Sequence, residues 1–390
     1  MENSVQNGGM NKVLLVVTLL LICFGVAEVY TASAPLAIAN GQTAEFYMIK
    51  HFQKVIPGLF FIFVFSFVDY KHWRWLGRLA FGVGVVLTIA ALVSGHGVKG
   101  ASRWFLGIQP SEIMKLGMFV LLCEKLSLAG NNIKTLKCSV IQPAVPVGIT
   151  AILLALQPNY SMMLIILIIV GCVMLTAGVN LKYMAYAVGA AIPVILVKLM
   201  TSPHSRARIL AFFADEGEMA ASSYQSEHAL QALGNGGLFG TGFGQGVLKW
   251  GYLPEAHKDV VYSVIGEELG FVGTFTVLVL FTLLFAQGFK IAQHASTRFG
   301  KYLALAMTLS IFMNFAIHVC VSVDLGPTTG QPLPFISFGG TNLIYSSVAV
   351  GILLNISRPN SGRLIKEPYA GRSSLETSVF RNVELTRSGV

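Results

Sequence analysis

Charge is what this 390-residue chain has least of: Asp, Glu, Lys and Arg make up 12% of it, about half the share of a soluble domain. So few charges cannot coat a water-exposed surface of that size, and the mean hydropathy of +0.68 agrees. The five cysteines form no C-x-x-C and no zinc-ligand spacing with histidine, so they read as packing residues of apolar spans. Neither G-x-G-x-x-G at the required offsets nor a GK[ST] ending is present, which removes the usual nucleotide sites. No nucleic-acid module is visible, and the net charge of +9 suits an anionic membrane surface better than a nucleic acid. No internal repeat is evident, which disfavours a transporter built from inverted halves.

What the chain has instead is long apolar runs. They lie near residues 13–34, 54–69, 76–94, 112–129, 138–156, 160–178, 182–200, 261–288, 302–324 and 341–357, most of them able to cross a hydrocarbon core of about 30 Å. The expected fold is an all-α polytopic membrane protein of about ten transmembrane helices. Both termini are expected to be cytoplasmic, with one large extracytoplasmic loop, about 201–260, between the seventh and eighth helices. Residues 1–357 would form the membrane domain and 358–390 a flexible basic cytoplasmic tail. In that orientation the inner segments hold 17 of the 27 Lys and Arg residues, as the positive-inside rule requires. Seven of the other ten, Lys99, Arg103, Lys115, Arg206, Arg208, Lys249 and Lys258, sit in or beside the segments richest in unusual residues. An outer cluster that breaks the charge rule suggests an anionic ligand there, against the plainer account that each charge anchors a helix end.

Four stretches could carry chemistry. Leu253-Pro254-Glu255-Ala256-His257-Lys258-Asp259 leads into Ile265-Gly266-Glu267-Glu268-Leu269-Gly270, packing charge against the edge of a long apolar run; ionisable groups at membrane depth mark functional sites by default. Gln109-Pro110-Ser111-Glu112-Ile113-Met114-Lys115 reads as a helix start with proline at its first position, and Glu112 and Lys115, three apart, share a face and can pair. A structural ion pair and a ligand site both fit them; Lys99 and Arg103 just upstream favour the ligand. The glycine run 234–246 reads as a tightly bent, closely packed backbone, although its amides could also line an anion site. Gly326–Gly340 has three prolines in eight residues and so cannot be helix interior; it reads as a rigid re-entrant loop lining a protein cavity. Gln157-Pro158-Asn159-Tyr160 is a tight turn, and His318, a lone histidine in an apolar span, reads as a hydrogen-bonded packing residue.

Taken together, VKGASRWF (98–105), IQPSEIMKL (108–116), QALGNGGLFGTGFGQGVLKWGYLPEAHKD (231–259), VIGEELGFVG (264–273) and TGQPLPFISFGGTN (329–342) closely resemble the motifs of the SEDS family (shape, elongation, division and sporulation). The likeness runs over nearly the whole chain to Pro359. It implies a peptidoglycan glycosyltransferase that polymerises lipid II at the outer face of the cytoplasmic (inner) membrane. The implied partners are a class B penicillin-binding protein transpeptidase and other divisome membrane proteins. The resemblance maps the family's proposed catalytic carboxylate onto Asp259 and the Glu and Lys of its QPSE-x-x-K motif onto Glu112 and Lys115; with the clustered outer cations and the rest of the Leu253–Asp259 run, the candidate substrate contacts are Lys99, Arg103, Glu112, Lys115, Lys249, Glu255 and His257. It implies no certain cofactor and leaves room for a divalent cation, Mg or Mn. This chain departs from the family at Asn159, where an aspartate is common, and at Lys258, where threonine is common. The opening EVYTASA and the basic tail look more like the division branch, at the septum, than the elongation branch.

The residues fit that chemistry in their own right. Transfer needs a base for the acceptor 4-hydroxyl and cations for the charge growing on the departing diphosphate. A lipid II flippase, which also needs a basic cavity, and a non-catalytic scaffold for a transpeptidase are the competing functions. A base at one outer face belongs to the transferase alone.

Overall fold

The computed structural model describes residues 10–94, 103–186, 189, 200, 221–251, 253 and 255–358. Its helices are α1 (Lys12–Ala39), α2 (Phe46–Phe67), α3 (Trp73–Ser94), α4 (Pro110–Ala129), α5 (Gln142–Leu156), α6 (Tyr160–Ala177), α7 (Ala221–Gly236), α8 (Val261–His294), α9 (Arg298–Ser322) and α10 (Gly340–Ile356). Nine of the ten expected spans coincide with α1–α6 and α8–α10. The seventh, 182–200, falls mostly outside the described residues, as do Lys99, Arg206, Arg208 and the tail beyond Arg358. Among the described residues, seven helical segments are long and apolar enough to cross a membrane, and α10 is a shorter apolar helix. α4 differs because it carries Glu112, Lys115, Glu124 and Lys125. It tolerates them by lying inside the bundle, with both members of the Glu112–Lys115 pair buried.

Helices approach closely where side chains are small, the usual solution where no water drives association. A Cβ on Gly84 or Gly117 would strike the backbone of Met114 or Phe81 across the α3–α4 contact. Gly58 faces Ser347 and Gly351 faces Phe61 and Phe65 across α2–α10. α2 begins at Phe46, well before the apolar run expected from residue 54. Lys50, His51, Gln53 and Lys54 interrupt the apolar residues of its first turns and break up the hydropathy signal, yet Tyr47, His51, Lys54 and Gly58, spaced as one helical face, pack on Phe338 and α10.

The two ends of the bundle are built differently. One is clasped by polar contacts between distant segments: Asn11 Nδ2 donates to Gln287 Oε1 at 3.0 Å, the Asn11 amide to Ser357 Oγ at 3.1 Å, and the Tyr70 amide to Asn355 Oδ1 at 2.9 Å. Asn11 also caps α1 by accepting the Leu14 amide at 2.9 Å, satisfying an otherwise orphaned donor. The opposite end gathers the described motifs. There the Gln109 amide donates to Thr341 Oγ1 at 3.1 Å and the Phe338 amide to the His257 carbonyl at 2.9 Å.

Candidate active site at one end of the bundle

α8 is broken at Gly270, whose φ of 65° and ψ of −160° lie outside the helical region. A break frees carbonyls before it and amides after it, and buried ones need partners. The glycine run supplies them. Thr241 and Gly242 amides donate to the Glu267 and Glu268 carbonyls at 2.9 and 3.0 Å, while Phe271 and Val272 amides donate to Gly237 and Leu238 at 2.9 and 3.2 Å. Backbones this close exclude side chains: a Cβ on Gly236, Gly240 or Gly270 would collide with Gly266, Glu268 or Gly240 main chain respectively.

The run does bind anions, and they are the protein's own. Glu267 Oε1 accepts the Val247 and Leu248 amides at 2.9 and 3.2 Å, and Glu268 Oε2 accepts the Gly244 amide at 2.7 Å. Lys249 Nζ reaches Glu268 Oε1 at 2.5 Å and the Gly244 carbonyl at 2.9 Å. All three charged side chains are buried, and Glu28 of α1, also buried, is within electrostatic reach of Lys249 and Glu268. Lys249 is therefore an anchor for the loop rather than a cation open to solvent.

From this anchored loop the chain runs to a tight turn in which the Lys258 and Asp259 amides both donate to the Glu255 carbonyl, at 2.9 and 3.1 Å. Glu255 sits at a φ of 52°, a left-handed conformation costly for a residue with a side chain and typical of functional sites. Its carboxylate pairs with Lys258 at 2.7 Å, both partners well exposed. His257 points inward, 1% exposed, between Tyr47 (5.2 Å between ring centroids) and Phe338 (5.5 Å). Burial, and secondarily the Lys258 charge, push its pKa down to about 4, so the ring is neutral at physiological pH. Asp259 is half-buried, with Oδ2 3.6 Å from where a Gly330 Cβ would stand. Its carboxylate thus lies against the re-entrant loop.

That loop does re-enter. Its tip residues Phe335 and Ile336 are buried and press on Gly25, midway along α1, about 20 Å from the end of that helix at its rise per residue. Phe335 holds a φ of 66°. His318 Nδ1 contacts the Gln331 carbonyl at 2.9 Å and its Nε2 accepts the Tyr262 amide at 3.5 Å, so this histidine joins the loop to the start of α8.

The remaining expected contacts are engaged elsewhere. Arg103 donates to the Gln157 and Pro158 carbonyls at 3.3 and 2.5 Å, at the end of α5 where unpaired carbonyls favour a cation. Lys115 pairs with Glu112 at 2.7 Å and stands 3.8 Å from the Tyr345 ring centre, 2% exposed. Asn159 is buried beside Met162. Lys99 lies outside the described residues. Gly330 and Phe338 belong to the loop that the sequence singled out, whereas the Tyr47–His51–Lys54 face of α2 escaped it. The helical spacing of that face was the available signal. Among the described residues no group of three or more His, Cys, Asp or Glu side chains gathers as a metal site; Mg-type sites completed by substrate phosphates need only one or two carboxylates.

The helical bundle has the overall fold of a class of polytopic membrane protein seen in solved structures. A chain of a peptidoglycan synthase complex that coordinates polymerization and crosslinking is similar to this one with a TM-score of 0.74 at 24% identity, covering 91% of this chain and 99% of that one. The rod shape determining protein RodA of Thermus thermophilus gives a TM-score of 0.65 at 24% identity, covering 90% and 97%. In sequence, the probable peptidoglycan glycosyltransferase FtsW of Trichlorobacter lovleyi is 34% identical over 352 residues, 88% of this chain and 92% of that protein. Stage V sporulation protein E of Bacillus subtilis is 32% identical over 352 residues, 88% and 96%. Residues 11–362 match the FtsW/RodA/SpoVE family of cell cycle proteins, and the chain belongs to that family.

Proposed function

We propose that the chain is a peptidoglycan glycosyltransferase that polymerises lipid II at the outer face of the cytoplasmic membrane, in septal wall synthesis. The observation that carries this reading is the half-buried Asp259 carboxylate, set on a strained turn against the re-entrant loop at the motif-bearing end of the bundle. Asp259 takes the proton of the acceptor 4-hydroxyl as that oxygen bonds to the donor's anomeric carbon. The bond from that carbon to the diphosphate breaks in the same step, and the polyprenyl diphosphate leaves with the electron pair. Neutral His257 holds the turn by packing. A class B penicillin-binding protein transpeptidase crosslinks the product, and other divisome membrane proteins locate the pair at the septum.

The test is purified protein incubated with labelled lipid II, with and without Asp259→Asn. Glycan polymer from the parent and none from the variant supports the transferase; translocation without polymer in proteoliposomes would mean a flippase. The reading also requires both termini to be cytoplasmic. Ser222→Cys should react with an impermeant maleimide in intact cells and Ser361→Cys only after permeabilisation; the reverse pattern sinks the outer-face site.

A further inference from the structure

Arg103, Lys115 and Lys249 are each bonded within the protein, which leaves a place for a further cation at the substrate's diphosphate; the inference here rests on the transferase reading. We propose that Lys54 of α2, with Lys50 one turn away, is the diphosphate-binding cation of this site. Lys54 Nζ stands 4.2 Å from the ring centre of Phe338, the residue whose amide holds His257, two residues before Asp259. Its stem runs so close to Gly340 that a Cβ there would lie 2.5 Å from Lys54 Cδ. That places the ammonium beside the first turn of α10, where a helix leaves unpaired amides and favours an anion.

The local charge balance supports it. Besides partial burial, Lys54 feels the positive charges of Lys50 and Lys258, and Lys258 shares part of its charge with Glu255. Among the described residues neither Lys50 nor Lys54 is ion-paired with a carboxylate. Like charges gathered this way repel unless an anion joins them. Side-chain nitrogens around the same turn also lack partners: Asn342 Nδ2 in that first turn of α10, His257 Nε2, and both ring nitrogens of His51, all on residues at least nine-tenths buried. Buried polar groups without partners are rare in folded proteins, and a diphosphate, all acceptors, satisfies the Asn342 amide N–H and whichever ring N–H each imidazole carries. The long apolar stretch of α2 beyond Lys54 would run alongside the lipid's chain.

The experiment measures polymerisation of labelled lipid II, and its inhibition by undecaprenyl diphosphate and by undecaprenyl monophosphate, in the full-length parent, Lys54→Met, Lys54→Arg, Lys50→Met and Asp259→Asn. Lys54→Met keeps the stem over Phe338 and removes the charge. It should raise KM and weaken diphosphate inhibition about tenfold, the scale of one charge-assisted hydrogen bond, with a smaller change for the monophosphate. Lys54→Arg should restore both. Unchanged KM and diphosphate inhibition in Lys54→Met, with Asp259→Asn inactive, would overturn this inference and leave the transferase standing. Equal loss toward both inhibitors with a lowered Tm would also overturn it, by showing a packing role. If Lys54→Met does not fold, Lys50→Met, at an exposed position, must show the same selective loss, and its failure to do so counts against the proposal. A parent that makes no polymer defeats the transferase reading itself.

Discussion

Two lysines on the stretch between α7 and α8, Lys249 and Lys258, stand nine residues apart and face opposite fates. Lys249 is buried against Glu268 and a main-chain carbonyl, holding the loop to the broken helix. Lys258 pairs with Glu255 in the open, one residue from the proposed base. Motif membership did not separate them, and neither did sign of charge. What separates them is desolvation: a buried pair cannot release one partner without leaving a charge stranded, whereas an exposed pair opens at little cost. The same contrast divides Lys115, closed in by Glu112 and Tyr345, from Lys54, which has no carboxylate bonded to it among the described residues.

If that division is right, variants should split into those that stop chemistry and those that loosen the fold. Asp259→Asn should cut polymerisation about 10²-fold or more, the contribution of a positioned base, while its Tm stays with the parent's; retention of a tenth of the activity would break the assignment. Lys249→Met should do the reverse. It strands Glu268 beside Glu28 and should lower unfolding stability by about 3–5 kcal/mol, read as a marked Tm loss in detergent, and an unchanged Tm would show that the pair is not an anchor.

His257 sharpens the comparison through pH. Its folded pKa is depressed to about 4 from 6.5, so the folded state resists protonation that the unfolded state accepts. The stability this contributes is present above about pH 6.5 and is lost as pH falls toward 4, by about 3 kcal/mol at most. A Tm series from pH 7.5 to 4.5 should show that slope, and His257→Gln should make it shallower, with buried His51 and His318 left to contribute the rest. The smallest effect is expected at the exposed pair, where Lys258→Gln should change stability by about 1 kcal/mol or less; a loss as large as that of Lys249→Met would erase the distinction.

The membrane spans were legible because an apolar run of bilayer length with so few charges has little use outside a membrane. The Glu112–Lys115 pair was legible because three residues along a helix bring side chains together. The start of α2 was hidden because Lys50, His51, Gln53 and Lys54 interrupt its apolar residues, and Tyr47, His51 and Lys54 pack on Phe338, a contact that only the fold provides. The break in α8 was hidden too, since Gly270 sits inside a run that reads as one span and only the glycine run, docked from elsewhere, stabilises the unwound conformation. Arg103, Lys115 and Lys249 looked alike as outer cations. Their partners, the carbonyls after α5, the Tyr345 ring and Glu268, come from the fold, so sequence could place these cations near the site without saying which were already engaged.

The exchange of backbone bonds across Gly270 has a consequence for how this region comes apart. Amides of Thr241 and Gly242 belong to the loop, and those of Phe271 and Val272 to the helix, yet each pair is protected only while the other segment is docked. In a hydrogen-exchange measurement the four should therefore lose protection together, with one opening free energy, as a single cooperative unit. The Asp259 turn is tethered between that unit and the re-entrant loop, so opening of the unit should release one of its two supports.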